Sequence, residues 1–240
     1  MQMTSSDGLG PSLLERARRS ASYRSQRLMR RVREGREAPR SPEAFATHVP
    51  ILAGLAARFR VERVLELGAG SFSTAVFLDS AVFPSLAHLD SIETDTEWAR
   101  IVAERAGGDP RLTLRTTDEP VAQLVRALDL TGYDLILVDD SASLHERRAT
   151  VEAVAATVPP GPLVVIHDFE VDAYREASAV MDHRVVFRRF TPQTAVAWRG
   201  GDTSRRPSLQ SLKERIDQTQ GVPDPTDGAL WARILGPSGR

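Results

Sequence analysis

The segment VLELGAGSFS, residues 64–73, combines a carboxylate with a tight glycine turn. Glu66 lies two residues before Gly68, and Gly70 follows, so the turn has the first two glycines of a GxGxxG pattern with Ser73 in the third place. Such glycines allow a ligand to approach the backbone closely, and the start of a helix favours negative groups. The glycines alone are equally compatible with an ordinary strand-to-helix turn.

Glu66 narrows the class of ligand. A carboxylate beside the turn repels the pyrophosphate of a dinucleotide, but it attracts a cationic amine or a sulfonium. S-adenosylmethionine has these cationic groups, together with a carboxylate that backbone N–H groups can bind. We therefore expect five residues of the turn to bind this cofactor, namely Glu66, Gly68, Gly70, Ser71 and Ser73.

Two further acidic residues follow predicted strands. Glu93 closes the segment LDSIET, 25 residues after Gly68. A carboxylate at the carboxyl end of such a strand can accept hydrogen bonds from both hydroxyls of a ribose, which we favour over a plain surface role. Asp118 follows the third strand, and two interpretations stay open for it: an acceptor for the adenine amine, or the N-cap of the next helix.

The ends of the fourth and fifth strands have side chains suited to methyl transfer. Asp139 lies at the end of YDLILVDD, and His167 and Asp168 lie near the end of PLVVIHDF. Transfer from a sulfonium needs an aligned nucleophile and, for a hydroxyl, removal of its proton, so we predict Asp139 and His167 as catalytic residues. Asp139 and Asp168 together would make an oxygen-rich Mg²⁺ site, and His167 is the alternative, metal-free base.

The elements that position these residues alternate along the chain. Short apolar strands alternate with helical segments, which predicts a Rossmann-like, doubly wound α/β fold with a seven-stranded, mostly parallel sheet. The last two strands, RVVFRRF and TAVAWRG, are separated only by TPQ. This gap is too short for a helical crossover, so we expect a C-terminal hairpin with one antiparallel strand.

Together, these motifs resemble the class I S-adenosylmethionine-dependent methyltransferases over about residues 45–200. The segments that match are ELGAGSFS, IET, DLILVDD, LVVIHDF and the terminal hairpin. The chain is similar in particular to the catechol O-methyltransferase-like and macrocin O-methyltransferase-like branches. This resemblance implies transfer of a methyl group to a hydroxyl of a small molecule, with Mg²⁺ as a second cofactor.

The chain departs from both branches at the metal ligands. Catechol-type enzymes have Asp-Asn where this chain has His167 and Asp168, and the macrocin-type histidine follows its aspartate more closely than His145 follows Asp139. Two other functions remain alternatives: a catalytically silent methyltransferase-like binding protein and, less favoured, an NAD-linked oxidoreductase. The NPPY-type motif of base-amino methyltransferases is absent after the fourth strand, where VDDS stands.

Composition and charge predict where the protein acts and how the chain is divided into segments. The 240 residues are 41% hydrophobic and include no cysteine and no apolar run of membrane-spanning length, so we expect a cytoplasmic globular protein without membrane contact. Residues 1–44 are predicted to form an arginine-rich helical arm, a candidate for contacts between identical subunits rather than for nucleic-acid binding. Residues 45–200 are the predicted methyltransferase domain, and residues 201–240 are a C-terminal extension.

Overall fold

The computed structural model describes residues 46–141, 143–219 and 227–236, so the predicted arm at residues 1–44 lies outside the described residues. The strands are β1 (Arg63–Leu67), β2 (His88–Glu93), β3 (Leu112–Thr116), β4 (Leu135–Val138), β5 (Leu163–His167), β6 (His183–Phe187) and β7 (Thr194–Trp198). The helices are α1 (Val49–Ala56), α2 (Ser73–Phe77), α3 (Thr96–Ala106), α4 (Val121–Ala127), α5 (Leu144–Thr157), α6 (Asp172–Ala177), α7 (Arg205–Gln218) and α8 (Gly228–Leu235).

The seven strands form one sheet in the order β3-β2-β1-β4-β5-β7-β6. Strands β1 to β5 pair in parallel, and β7 runs antiparallel to both of its neighbours, β5 and β6. The predicted mixed sheet with a terminal hairpin is therefore confirmed. Leu67 pairs with Val138, and Val138 pairs with Ile166, so the residues that follow β1, β4 and β5 meet at one edge of the sheet.

Helices cover both faces of the sheet, which explains why β4 and β5 are apolar without interruption. Alternate residues of β1 point to opposite faces: Val64 belongs to the core cluster that includes Leu52 of α1, and Leu65 belongs to the cluster that includes Val125 of α4 and Val154 of α5. No helix in the described ranges has both the length and the apolar character needed to cross a membrane.

Local signals set the helix limits. Helix α3 begins after Asp95, whose carboxylate accepts a hydrogen bond from the Trp98 N–H at 3.0 Å, and it ends at Gly107 with φ +65°. Helix α2 is only five residues long. It ends at Phe77 because Asp79 starts a turn in which its carboxylate accepts from the Ala81 N–H at 2.8 Å.

The two C-terminal helices pack into the main core. Trp231 and Leu235 of α8 are fully buried, as is Leu212 of α7. A β-carbon at Gly54 in α1 would lie 2.3 Å from the Leu212 Cδ1, so the glycine lets α7 pack closely on α1. The described part of the predicted extension therefore shares its core with α1, and the apolar segment ALWARIL, residues 229–235, packs into that core.

Candidate active site

The glycine turn after β1 is held against the end of β4. Gly68 has φ +94°, and a β-carbon there would lie 2.2 Å from the carbonyl oxygen of Asp139. A β-carbon at Gly70 would lie 2.3 Å from the Ser73 Oγ. Both glycines are therefore needed for close packing, and Gly68 is also needed for its left-handed backbone.

Glu66 is fully buried beneath this turn. Its Oε2 accepts hydrogen bonds from the Thr74 hydroxyl at 2.7 Å and from the Ser91 hydroxyl, whereas its Oε1 has no hydrogen-bond partner among the described residues. Burial raises the pKa of Glu66 to about 7, although the nearby hydroxyl groups oppose the rise. A buried carboxylate oxygen without a partner fits a ligand with a cationic amine, as S-adenosylmethionine has.

The two serines of the turn are also buried. Ser71 is 6% exposed and its hydroxyl has no hydrogen-bond partner within the described ranges, and Ser73 is 2% exposed at the start of α2. Because an unpaired buried hydroxyl costs free energy, Ser71 is a second position in the turn where a ligand would complete the hydrogen bonding. Trp98 fixes the same turn from α3, since its indole N–H donates to the Ala69 carbonyl oxygen at 2.6 Å.

The two acids predicted to bind the nucleoside differ in their surroundings. Glu93 is buried at the end of β2, and its Oε1 accepts from the backbone N–H groups of Thr94 and Asp95 at 2.8 and 2.9 Å. Asp118 is exposed in the loop after β3. Its alternative role as a helix N-cap is wrong, because Pro120 holds that position in α4 without a side-chain cap. The ribose and adenine roles stay predictions.

Asp139 and Asp168 lie on either side of one arginine. The Nη2 of Arg147 is 2.8 Å from the Asp139 Oδ1, and its Nη1 is 2.6 Å from the Asp168 Oδ2. Arg147 comes from α5 and is 6% exposed, whereas the Asp139 side chain retains 13% exposure. The two predicted metal ligands are therefore joined by a guanidinium, and Asp139 is the member of this group that solvent reaches best.

Charge pairing dominates the electrostatics of this group. Burial alone would raise the pKa of Asp139, but the charges of Arg147 and His167 hold it well below its usual range. Burial would likewise lower the pKa of Arg147, and the Asp139 and Asp168 carboxylates raise it instead. Asp139 and Arg147 are consequently both ionised at neutral pH.

His167 is fixed by Thr47 on one side and by Asp139 on the other. The Thr47 hydroxyl donates to the Pro192 carbonyl oxygen at 2.9 Å, so it must accept from the His167 Nε2–H, also at 2.9 Å. The opposite nitrogen, Nδ1, faces the Asp139 Oδ1 at 3.4 Å, where a carboxylate can only accept. Both ring nitrogens thus act as donors. Burial would lower the pKa of His167, but the Asp139 carboxylate raises it, which agrees with a protonated ring.

Asp168 has an unusual backbone. It is the one residue other than glycine with a positive φ, 57°, in the described parts of the chain. Aspartate tolerates this left-handed conformation better than most residues, at a cost of roughly 1–2 kcal/mol. The conformation follows the end of β5 directly and accompanies the contact between the Asp168 carboxylate and Arg147.

No protein-family profile matches this chain, and no curated protein is similar enough in sequence to match it. Solved structures are similar in fold. Cofactor-bound Rv0187 from MTB shares 18% identity over 82% of this chain and 98% of its own, with a TM-score of 0.52. Human methyltransferase-like protein 13 in complex with SAH (S-adenosylhomocysteine) shares 18% over 81% and 95%, with a TM-score of 0.50. A candidate O-methyltransferase from Klebsiella pneumoniae shares 20% over 80% and 92%, with a TM-score of 0.50.

The chain has the class I methyltransferase fold. In this fold the glycine turn, Glu93, Asp139 and His167 lie at the carboxyl edge of the parallel strands, where open α/β sheets bind their ligands. The finer assignment to the catechol-type or macrocin-type branch stays a prediction.

Three side chains of this candidate site have the geometry of a metal-binding group. His48, Asp139 and His167 each carry an atom that can bind a metal, and these atoms lie within 4.8 Å of one another, but the His167 nitrogen would first have to lose the proton that it donates. The His48 and His167 rings are in edge contact, with centroids 4.8 Å apart. This group shares only Asp139 with the metal site predicted from the sequence.

Sequence reasoning missed two residues of the site. Arg147 lies four residues before Val151 and seven before Val154, both buried, so helical spacing places it on the buried face of α5. Thr47 carried no signal, since its contact with His167 spans 120 residues. His145 is exposed as expected.

His183 is engaged in contacts at the sheet edge. It begins β6, its ring centroid lies 4.9 Å from that of Trp198, and its Nε2 contacts the Gly200 carbonyl oxygen at 3.0 Å. Pairing with β7 extends the strand by this one residue. His183 therefore has a structural position away from the carboxyl edge.

Proposed function

We propose that this chain transfers the methyl group of S-adenosylmethionine to a hydroxyl group of a small molecule. The observation that carries the proposal is the buried Glu66 carboxylate, which leaves one oxygen without a partner beneath the Gly68 turn. A negative group there favours a cationic amine and disfavours a dinucleotide pyrophosphate, which argues against an NAD-linked oxidoreductase.

The residues that would hold the cofactor are those of the carboxyl edge. Glu66 would accept from the cofactor amine, the N–H groups and the Ser71 hydroxyl of the turn would bind its carboxylate, and Glu93 would accept from the ribose. Asp118 would accept from the adenine amine. When bound, the cofactor supplies an already activated methyl group, so that this chain has only to align the acceptor and remove its proton.

Asp139 is the residue we assign to the acceptor hydroxyl. Its side chain is 13% exposed at the strand edge, while its partners Arg147 and His167 are buried. Asp139 is a weak base because these cations stabilise its ionised form. A weak base suffices, since the hydroxyl becomes strongly acidic as its oxygen bonds to the methyl carbon. His167 has both ring nitrogens engaged, so it would act by positioning Asp139.

Binding and chemistry can be tested separately. In thermal-shift and calorimetric assays, S-adenosylhomocysteine should bind and raise the melting temperature, whereas NAD and NADP should not. Asp139→Asn should bind S-adenosylhomocysteine like the wild type but lose methyl transfer to a panel of small hydroxyl compounds, measured by release of S-adenosylhomocysteine. Binding of NAD alone would refute the proposal.

A catalytically silent binding protein is the alternative. It predicts that S-adenosylhomocysteine binds while no compound of the panel, with hydroxyl or amine acceptors, is methylated. Transfer to amines alone would keep the cofactor assignment and replace the acceptor. Asp139→Asn separates the alternatives, because a silent protein has no activity for this substitution to remove.

A further inference from the structure

The acids at the ends of β4 and β5 need a positive charge between them. Asp139 and Asp168 follow neighbouring parallel strands, and two largely buried carboxylates so placed repel each other unless a cation intervenes. The resemblance to metal-dependent O-methyltransferases implies Mg²⁺ in this role. The structure gives the role to a side chain of the protein itself, Arg147.

The guanidinium of Arg147 fits this position closely. Its two terminal nitrogens contact one carboxylate each, at 2.8 Å for Asp139 and 2.6 Å for Asp168. These are the distances of strong charge-assisted hydrogen bonds. The backbone of Arg147 is fixed within α5, where the next turn carries Thr150, whose hydroxyl donates to Asp140 at 2.7 Å.

We propose that Arg147 is the permanent cation of this site and that it replaces a divalent metal, so that methyl transfer by this chain is metal-independent. The catalytic part of this inference rests on the function proposed above. The pair Asp139 and Asp168 does not fit Mg²⁺, because the carboxylate oxygens that face Arg147 accept from N–H groups that arginine cannot give up. A metal ion placed there would also be repelled by the guanidinium.

The replacement has a consequence for the substrate. A metal can bind two neighbouring oxygens of one substrate, whereas the Arg147 guanidinium is buried with its two terminal nitrogens on the carboxylates, so it does not offer a substrate a comparable pair of sites. Asp139 then remains as the acceptor that a substrate reaches, through its 13% exposed side chain. We infer that a substrate with a single hydroxyl suffices and that a pair of adjacent hydroxyls gives no advantage.

The test uses Mn²⁺ as a probe, because its binding is measured by electron paramagnetic resonance without any substrate. The wild-type full-length chain should show no specific Mn²⁺ binding and no change of melting temperature with Mn²⁺ or Mg²⁺. Arg147→Met keeps the approximate length of the side chain but removes its charge. This variant should melt at a lower temperature and should gain Mn²⁺ binding that restores part of the loss. Arg148→Met, at the exposed neighbouring position of the same helix, is the matched control.

Two further variants test whether the gained Mn²⁺ binds at Asp168 and whether a positive charge at position 147 prevents this binding. Adding Asp168→Asn to Arg147→Met should abolish the gained Mn²⁺ binding. Arg147→Lys should fold with its charge retained and should bind no Mn²⁺. Its kcat should be lower, with little change in affinity for S-adenosylhomocysteine, because an ammonium group cannot bridge both acids as the planar guanidinium does.

Measurements on the wild type test the role of Arg147 even if the variant Arg147→Met fails to fold. Specific Mn²⁺ binding by the wild type that is lost in Asp168→Asn would overturn the proposal, and so would binding that is lost in His48→Ala. Loss of activity in EDTA with recovery in Mg²⁺ would overturn it as well. Failure of S-adenosylhomocysteine to bind would instead refute the proposed function, and the Mn²⁺ measurement would still decide the role of Arg147.

Discussion

The glycine turn after β1 and the acid that follows β4 are in direct backbone contact. A β-carbon at Gly68 would lie 2.2 Å from the carbonyl oxygen of Asp139, and the Asp139 N–H donates to the Leu67 carbonyl oxygen at 2.9 Å. The Gly68 N–H donates in turn to Ile92 of β2 at 2.8 Å. The turn predicted to bind the methyl donor is therefore tied to the residue proposed to contact the acceptor.

Gly68→Ala should destabilise the fold, because it disrupts the packing of the glycine turn against Asp139. Alanine at φ +94° adds backbone strain, and its methyl group meets backbone atoms that cannot move alone. We expect a loss of more than about 3 kcal/mol in the free energy of unfolding, measured by urea denaturation. Gly108→Ala is the control, since Gly108 has φ +75° but nothing within 4 Å of the added methyl group. Equal losses in the two variants would mean that strain alone matters.

Binding of S-adenosylhomocysteine should depend on pH through Glu66. Its pKa is raised to about 7 by burial, so a proton must leave before the carboxylate can accept from a cationic amine. Affinity should fall by about tenfold for each pH unit well below 7, measured by calorimetry. Glu66→Gln should bind more weakly and with a flat pH profile. Glu152→Gln, at an exposed position, should keep the wild-type profile. An unchanged slope in Glu66→Gln would contradict the assignment.

Glu66 should also make the stability of the ligand-free protein depend on pH. Here low pH is the favourable condition, whereas ligand binding is favoured at high pH. Since the folded-state pKa of about 7 lies above the ordinary value of 4.5, the folded protein binds more protons than the unfolded chain between these values. The contribution of Glu66 to stability is therefore present below pH 4.5 and is lost as the pH rises towards 7. Glu66→Gln should remove this loss and raise the melting temperature at pH 8 relative to the wild type. A melting temperature of Glu66→Gln below that of the wild type at pH 8 would refute this prediction.

The ribose role of Glu93 needs a substitution that spares the loop. Glu93→Ala would also remove the acceptor for the Thr94 and Asp95 N–H groups, so a loss of binding would have two causes. Glu93→Gln keeps an oxygen for the loop but loses the charge and one acceptor. We expect it to fold normally and to weaken S-adenosylhomocysteine binding by roughly 1.5–3 kcal/mol, the range for a hydrogen bond to a charged group. Wild-type affinity in Glu93→Gln would show that Glu93 only closes its own loop.

Trp231 should be essential for stability although it lies in the predicted extension. It is fully buried and meets Phe190 edge to face, with ring centroids 5.9 Å apart. Trp231→Ala should cost about 3–5 kcal/mol in the free energy of unfolding. Arg233→Ala, two residues further on the exposed side of α8, should cost almost nothing. A small loss in Trp231→Ala would mean that α8 only rests on the surface.

The sheet and its edge could be predicted because strand ends follow from local patterns. Uninterrupted apolar segments marked β4 and β5, and this alone placed Asp139 and His167 side by side. The short TPQ connection likewise determined the hairpin. In parallel sheets the topology converts positions along the chain into neighbours at one edge, so these site residues needed no long-range information.

The partners of these residues were harder to predict. Arg147 has charged, exposed neighbours on both sides, and its buried position is revealed only by its helical spacing from Val151. That an arginine would take the charge-balancing place expected for a metal depends on where α5 packs against the sheet edge. The contact of Thr47 with His167 depends on tertiary packing across 120 residues. Composition and periodicity carry no information of this kind.

The packing of α7 and α8 on α1 has a consequence for synthesis on the ribosome. Residues 47 and 48, which contact His167, stand directly before α1, and α1 has its final neighbours only after residues 205–235 have been made. Contacts of such large sequence separation form late, because a long loop must close first. A nascent chain that stops after β7 would have its whole sheet but an uncovered apolar helix, and it would be a substrate for chaperones until α7 and α8 cover that helix.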